Sequence, residues 1–140
     1  MNIIETALKY YGHSRTHNHA WLEQIFKSGG HNFPTSSNWC AIFVDHVSRQ
    51  CSKQRAVKPA VARSWLKVGV TPARPHIGDL VVFWRESPTS WKGHVGFYVG
   101  QDFDGKIFVL GGNQGPQRSV VIQRYPTDRL LGYRRLLDRD

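Results

Sequence analysis

The chain has 140 residues, with 19 lysines and arginines against 10 aspartates and glutamates, a net charge of +9 at neutral pH. That length suits one domain with its own core, so neither a disulfide scaffold nor a structural metal is needed to hold it together. The positive field favours polyanionic partners such as nucleic acid, anionic lipid or bacterial cell-wall polymer, and charge alone does not choose among them.

Ile4, Ala7, Leu8 and Tyr11 fall at helical spacing and predict a first helix that stops at Gly12. Trp21, Leu22, Ile25 and Phe26 predict a second, ended by Gly29-Gly30. A third begins at Cys40, with Phe43, Val44, Val47 and Cys51 on one stripe and Ser37 or Asn38 available as its cap. If that helix is unbroken, Cys40 and Cys51 lie about 16 Å apart, too far for a disulfide, and both thiols are expected to be reduced. Pro59 suits the opening of a short helix over 61–68, closed by Gly69. The period then changes. Residues 80–84, 95–99, 106–110, 119–125 and 130–136 are β-prone runs separated by Gly, Pro and Asp turns. Helices followed by consecutive strands predict an α+β fold with an antiparallel sheet, a single domain over residues 1–140.

Cys40 stands in the first turn of its helix, where unpaired amides and the helix dipole lower a thiol pKa and donate to a developing oxyanion. Its place on the apolar stripe also fits a buried small hydrophobe, the reading that suits Cys51. Seven histidines compete as its base. His13, His17, His19 and His31 fall in polar, turn-like sequence that predicts solvated rings, and His76 lies in a Pro-rich loop. His46 is rotated roughly 240° from Cys40 around their shared helix. His94 is better placed, at the start of a buried strand that alternates His94, Gly96 and Tyr98 on one face with Val95, Phe97 and Val99 on the other.

A third group must hold the imidazole, and Gly111-Gly112-Asn113-Gln114 offers a carboxamide on the next strand. If Asp102-Phe103-Asp104-Gly105 forms a four-residue hairpin loop, Gln101 pairs with Lys106 and the ladder sets Asn113 opposite His94. A loop one residue longer would turn Asn113 to the other face. Gln114 is read as a substrate-binding or oxyanion-assisting group, and the sequence does not separate the two. His17-Asn18-His19 lacks the spacing of a metal site, and no HExxH, CxxC or phosphate-binding loop occurs. Asp79 is expected to turn the chain into a strand rather than to act as an acid.

Trp39-Cys40-Ala41-Ile42-Phe43-Val44, Gly78-Asp79-Leu80-Val81-Val82-Phe83, Gly93-His94-Val95-Gly96-Phe97 and Leu110-Gly111-Gly112-Asn113-Gln114 occur in that order. Together they resemble the CHAP and NlpC-like peptidoglycan hydrolases, in particular a small phage and bacterial subgroup ending in a Leu130-Leu131-Gly132-Tyr133-Arg134-type strand. The similarity runs over nearly the whole chain. One departure is Asn38, where the subgroup often has Pro. The resemblance implies a papain-like α+β fold in which Cys40 attacks an amide of the wall peptide stem, His94 is base and then acid, and Asn113 orients His94. Trp39, Asn38 and Gln114 are the expected substrate or oxyanion contacts, and no metal or organic cofactor is expected.

The implied activity is a peptidoglycan amidase or endopeptidase, working as a phage lysin or a secreted antibacterial effector. An effector of this kind would have a cognate inhibitor protein. Arg124, Arg129, Arg134, Arg135 and Arg139 near the end would concentrate it on an anionic wall. No signal-peptide pattern and no run of membrane-spanning length occur, so synthesis in the cytoplasm and export by a specialised route are expected, without membrane insertion. Two other readings compete. One is a catalytically silent wall-binding or tail-assembly module that keeps the fold. The other is a basic nucleic-acid-binding domain, motivated by the charge and five tryptophans, although no specific nucleic-acid motif is present.

Overall fold

The computed structural model describes residues 2–139. Three α-helices come first, α1 (Ile3–Leu8), α2 (His19–Ser28) and α3 (Cys40–Gln50), followed by a 3-10 segment, Ala62–Lys67. Five strands follow: β1 (Leu80–Trp84), β2 (Gly93–Gln101), β3 (Ile107–Gln114), β4 (Ser119–Tyr125) and β5 (Leu130–Arg134). They form one sheet in the order β4-β3-β2-β1-β5, antiparallel at every step. The architecture is α+β, with the helical half before the sheet as the change of period indicates.

Local chemistry accounts for the helix ends. Asn2 caps α1 through a bond from the Glu5 amide (2.8 Å), and Glu5 reaches back to the Asn2 amide. The helix closes at Leu8, one turn earlier than the apolar spacing suggests, and Tyr10 and Tyr11 continue as turn. α2 ends at Gly29, and Gly30 takes the left-handed conformation (φ 77°) that lets the chain leave. The segment after Pro59 is 3-10 rather than α-helical.

α3 is the central helix, and nearly all of its first nine residues are buried. It packs across β2 and β3, with Ile42, Phe43, Val44 and Val47 in the main core beside Val95, Phe97 and Leu110. A helix buried on all sides must also satisfy its polar residues. Asp45, wholly inaccessible, accepts bonds from Arg55 (2.7 and 2.8 Å) and Arg49 (3.2 Å) and lies 3.3 Å from His31 Nε2. His31 is therefore a buried partner of Asp45 and not the solvated ring that its polar neighbours suggest. Cys40 and Cys51 are free thiols at opposite ends of α3. Cys51 is half-buried, its Sγ 3.3 Å from Thr6 Oγ1.

The sheet is strongly coiled. Register shifts occur in β2 at Tyr98/Gly100, between β1 and β5 at Val82/Phe83, and in β3 at Gly111/Gln114, and such bulges increase twist. One face meets the helices. The other closes over a smaller core of Val81, Phe83, Ile107 and Val109 flanked by Tyr98, Tyr125 and Tyr133. The coiling brings Tyr125 of edge strand β4 onto Phe83 of β1, three strands away in the sheet order (ring centroids 5.0 Å, 28° between planes).

Three of the five arginines near the end are engaged within the fold. Arg124 pairs with Asp102 (2.7 Å), and Arg134 donates to the Leu66 carbonyl (2.7 Å). Arg135 grips both oxygens of Asp79 (2.8 Å each). Asp79 also accepts from the His76 amide (2.7 Å), so it turns the chain into β1 as its position before the strand suggests. Among the described residues no helix is long and apolar enough to cross a membrane.

Candidate active site

Close packing sets the position of Cys40. Trp39 and Phe43 press onto Gly112 of β3, where a Cβ would stand 2.6 Å from Trp39 Cζ3 and 2.8 Å from Phe43 Cβ. Only glycine lets the start of α3 come this near the sheet. Trp39 is itself a core residue, 1 % exposed and edge-on to Trp21 (6.1 Å, 84°). Its expected place as a substrate contact is thereby corrected: the ring seats the helix, and the residue borders a side cavity with Ser37, Asn113 and Arg118, not the two cavities lined by Cys40 and His94 where a substrate contact was expected.

The Cys40 backbone N–H donates to Asn38 Oδ1 (3.3 Å), which fixes the orientation of that carboxamide because a backbone amide only donates. Asn113 Nδ2 donates to the same oxygen (2.9 Å). Asn38 Nδ2 makes no hydrogen bond among the described residues.

His94 enters from the second residue of β2 and is 8 % exposed. The carboxamide behind its ring belongs to Gln114 and not to Asn113: Gln114 Oε1 lies 2.8 Å from His94 Nε2. The expected hairpin register is corrected as well. Gln101 pairs with Ile107 and not with Lys106, so the loop is one residue longer than expected. A bulge at Val99 absorbs the extra residue, and Tyr98 then faces Val109, the pairing that the shorter loop would also have produced. What moves Asn113 is a second irregularity. It adopts a left-handed backbone (φ 58°) inside the β3 bulge, turns toward Asn38 on the helix side, and leaves the His94 face to Gln114.

Gln114 is held firmly. Its Nε2 donates to the Val109 (3.0 Å) and Val121 (2.7 Å) carbonyls, so Oε1 must be the atom that meets His94. A Cβ on Gly111 would stand 2.6 Å from that oxygen and one on Gly96 3.5 Å from it. Gly111 therefore clears the space that the glutamine fills, whereas at Gly96 it is the Val109 side chain that leaves no room for a Cβ. With an acceptor at Nε2, the ring carries its proton there and Nδ1 is left for the thiol. Tyr125 completes the setting, its ring tilted over the imidazole (5.2 Å, 31°) and its hydroxyl 3.2 Å from Nε2.

Thiol and imidazole shift each other's protonation. Burial pushes the Cys40 pKa up, but the charge and hydrogen bond of His94, the Val95 backbone and the Arg85 charge together bring it below its ordinary 9.0. Burial pushes His94 down, yet the sulfur's charge and hydrogen bond and the Gln114 contact outweigh it, and the net shift is upward. Both directions favour a thiolate facing an imidazolium.

Two cavities meet at this pair. One, about 350 Å³, is lined by Cys40 and by Ile42, Val61, Ala62 and Trp91. The other, about 490 Å³, is lined by His94 and Asn113 and by Arg85, Arg118 and Arg129. Asn38 and Arg85 border both. Of the residues singled out from sequence, the fold brings Cys40, His94, Asn38, Asn113 and Gln114 together and withdraws Trp39 into the core. Sequence reasoning missed Tyr125 and Arg85. Tyr125 carries no local signal, being delivered by coiling of the sheet, and Arg85 follows β1 at its cavity end. Among the described residues no group of three or more His, Cys, Asp or Glu side chains is placed to hold a metal ion.

These features define a chain of α+β class with a buried thiol–imidazole–carboxamide relay at a helix–sheet junction. No family model matches the chain, and no curated protein matches its sequence.

Proposed function

We propose that this protein is a papain-like cysteine hydrolase that cleaves an amide bond in the peptide stem of bacterial peptidoglycan, as amidase or endopeptidase. The observation that carries the reading is the relay itself, Cys40 to His94 to Gln114, with thiol and imidazole shifted in the two directions that create an ion pair. The ordered motifs shared with CHAP and NlpC-like enzymes supply the substrate class.

In this mechanism the Cys40 thiolate attacks the carbonyl carbon and the carbonyl oxygen becomes an oxyanion. Asn38 Nδ2 donates to that oxygen, and Asn113 acts as the positioning residue that holds Asn38 in place through its bond to Oδ1. The Cys40 amide is already engaged by Asn38, so this side-chain donor replaces the expected backbone one. The imidazolium of His94 passes its proton to the leaving nitrogen, the C–N bond breaks and a thioester remains. Water then attacks the thioester, His94 takes the water's proton, and the carboxylic acid leaves as the thiolate reforms. Gln114 keeps the ring in one tautomer throughout, a task for which the resemblance had implied Asn113.

Purified protein incubated with peptidoglycan should release soluble fragments whose masses identify the cut bond. Cys40→Ala should reduce release to background. Undiminished release by that variant would remove the mechanism.

A further inference from the structure

The two cavities differ in chemistry, and the proposed reaction gives each a role. After attack the acyl group stays on sulfur, whereas the leaving amine must sit where His94 can protonate it. The acyl half of the substrate therefore belongs in the apolar cavity beside Cys40 and the amine half in the cavity lined by His94.

That second cavity is lined by three guanidinium groups and no carboxylate. Four arginines elsewhere are neutralised by carboxylates, Arg49 and Arg55 by Asp45, Arg124 by Asp102 and Arg135 by Asp79, and Arg63 and Arg134 donate to backbone carbonyls. Among the described residues Arg85, Arg118 and Arg129 have no such partner. Arg129 is held over the Trp84 ring, 4.8 Å from its centroid, so its planar head is oriented without being discharged. Arg118 sits in the turn between β3 and β4 with a left-handed backbone (φ 47°) and lines the same cavity. Like charges gathered in one cleft repel unless an anion joins them, and a carboxylate is the anion that an arginine fork binds in bidentate fashion.

Resting on the hydrolase reading, we infer that Arg85, Arg118 and Arg129 form a leaving-group subsite for a free carboxylate, so that the preferred substrate releases an amine whose own residue is anionic. Amidation of that carboxylate would remove the preference. The subsite selects substrate by charge, and the adjoining apolar cavity accepts the acyl residue by shape.

The test uses covalent probes and needs no wall cleavage. N-iodoacetylglycine and its neutral glycinamide counterpart alkylate Cys40 through the same carbon and differ in one charge, so the acid-to-amide rate ratio cancels changes in thiol reactivity. We expect the ratio to fall roughly fivefold to tenfold in Arg118→Gln/Arg129→Gln, the worth of a partly exposed charge-assisted contact. The control Lys9→Gln/Lys27→Gln removes the same net charge at remote sites and should retain most of the wild-type ratio. Equal ratios in the wild type and the arginine variant, or an equal fall in the lysine control, would overturn the subsite. Peptidoglycan release that fails while the ratio responds to the arginines alone would instead reject the wall substrate and leave the anion subsite standing. Where release succeeds, KM for stem fragments should rise on amidation of the leaving residue's carboxylate in wild type, with kcat little changed.

Discussion

Asn113 and Gln114 are neighbours with similar side-chain chemistry, and the site divides its work between them by backbone conformation. The left-handed turn at Asn113 sends one carboxamide to Asn38 and the next to His94. Truncation at Gln114 should therefore cost far more than truncation at Asn113. Gln114→Ala strands the Val109 and Val121 carbonyls and opens a buried cavity, worth about 2–4 kcal/mol of stability in urea denaturation. It also removes a bond that raises the His94 pKa, which weakens the ion pair and lets the thiol pKa climb. Hydrolysis should drop by about 10²-fold, and the pH onset of Cys40 alkylation should move upward. Asn113→Gly keeps the left-handed conformation and should unfold within about 0.5 kcal/mol of wild type. Its loss should appear in kcat with the alkylation onset unmoved. The reverse ranking would assign the ring to Asn113.

The wild-type onset itself has a definite sign. A thiol lowered from 9.0 is still ionised at pH values where an ordinary cysteine is protonated, so the onset of Cys40 alkylation should lie below that of Cys51. His94→Ala removes the stabilising charge and should shift the onset upward.

At the scale of elements, the decisive contact is that of α3 with β3 at Gly112. Sulfur and imidazole sit on different elements, and the separation of helix and sheet sets their reach. Gly112→Ala forces a methyl group against Trp39 and Phe43, both fully buried, so the rings cannot yield and the helix must shift. The expected cost is about 1–3 kcal/mol, with a matching loss of thiolate reactivity at neutral pH. A variant that is destabilised yet alkylates Cys40 at the wild-type rate would show that this contact serves packing alone.

Across the whole molecule, the helical layer contains a group whose protonation opposes folding. His46, on α3, packs against Tyr10 in the turn after α1, whose ring also stacks on Trp21 of α2. Its Nε2 meets Tyr10 Oη at 3.3 Å, and its Nδ1 is buried without a hydrogen-bond partner. Burial and the Arg49 charge lower its pKa from 6.5 to about 4, against a smaller upward pull from Asp45. A folded-state pKa below the unfolded value leaves stability intact above pH 6.5 and withdraws it as pH falls toward 4, because the unfolded chain binds the proton first. The loss over that window should be about 2 kcal/mol once solvent screening at a half-buried ring is allowed for. His46→Gln should flatten that part of the stability profile measured by denaturant unfolding; an unchanged slope would place the acid sensitivity elsewhere.

What sequence determined here is whatever depends on near neighbours. Apolar spacing and flanking breakers locate the start of α3 at Cys40 and the bounds of β1 and β4, since helix and strand periods are set within a few residues. The same local logic singles out Cys40 and His94 as the candidate pair. Tertiary structure decided which groups surround them. His31 is buried because Asp45, far from it in sequence, requires partners; Tyr125 reaches His94 because bulges coil the sheet; and Gln114 displaces Asn113 because a left-handed residue breaks the alternation that strand counting assumes. A period of two carries a side chain to a face only while the ladder stays regular, and here the ladder is irregular at the site itself.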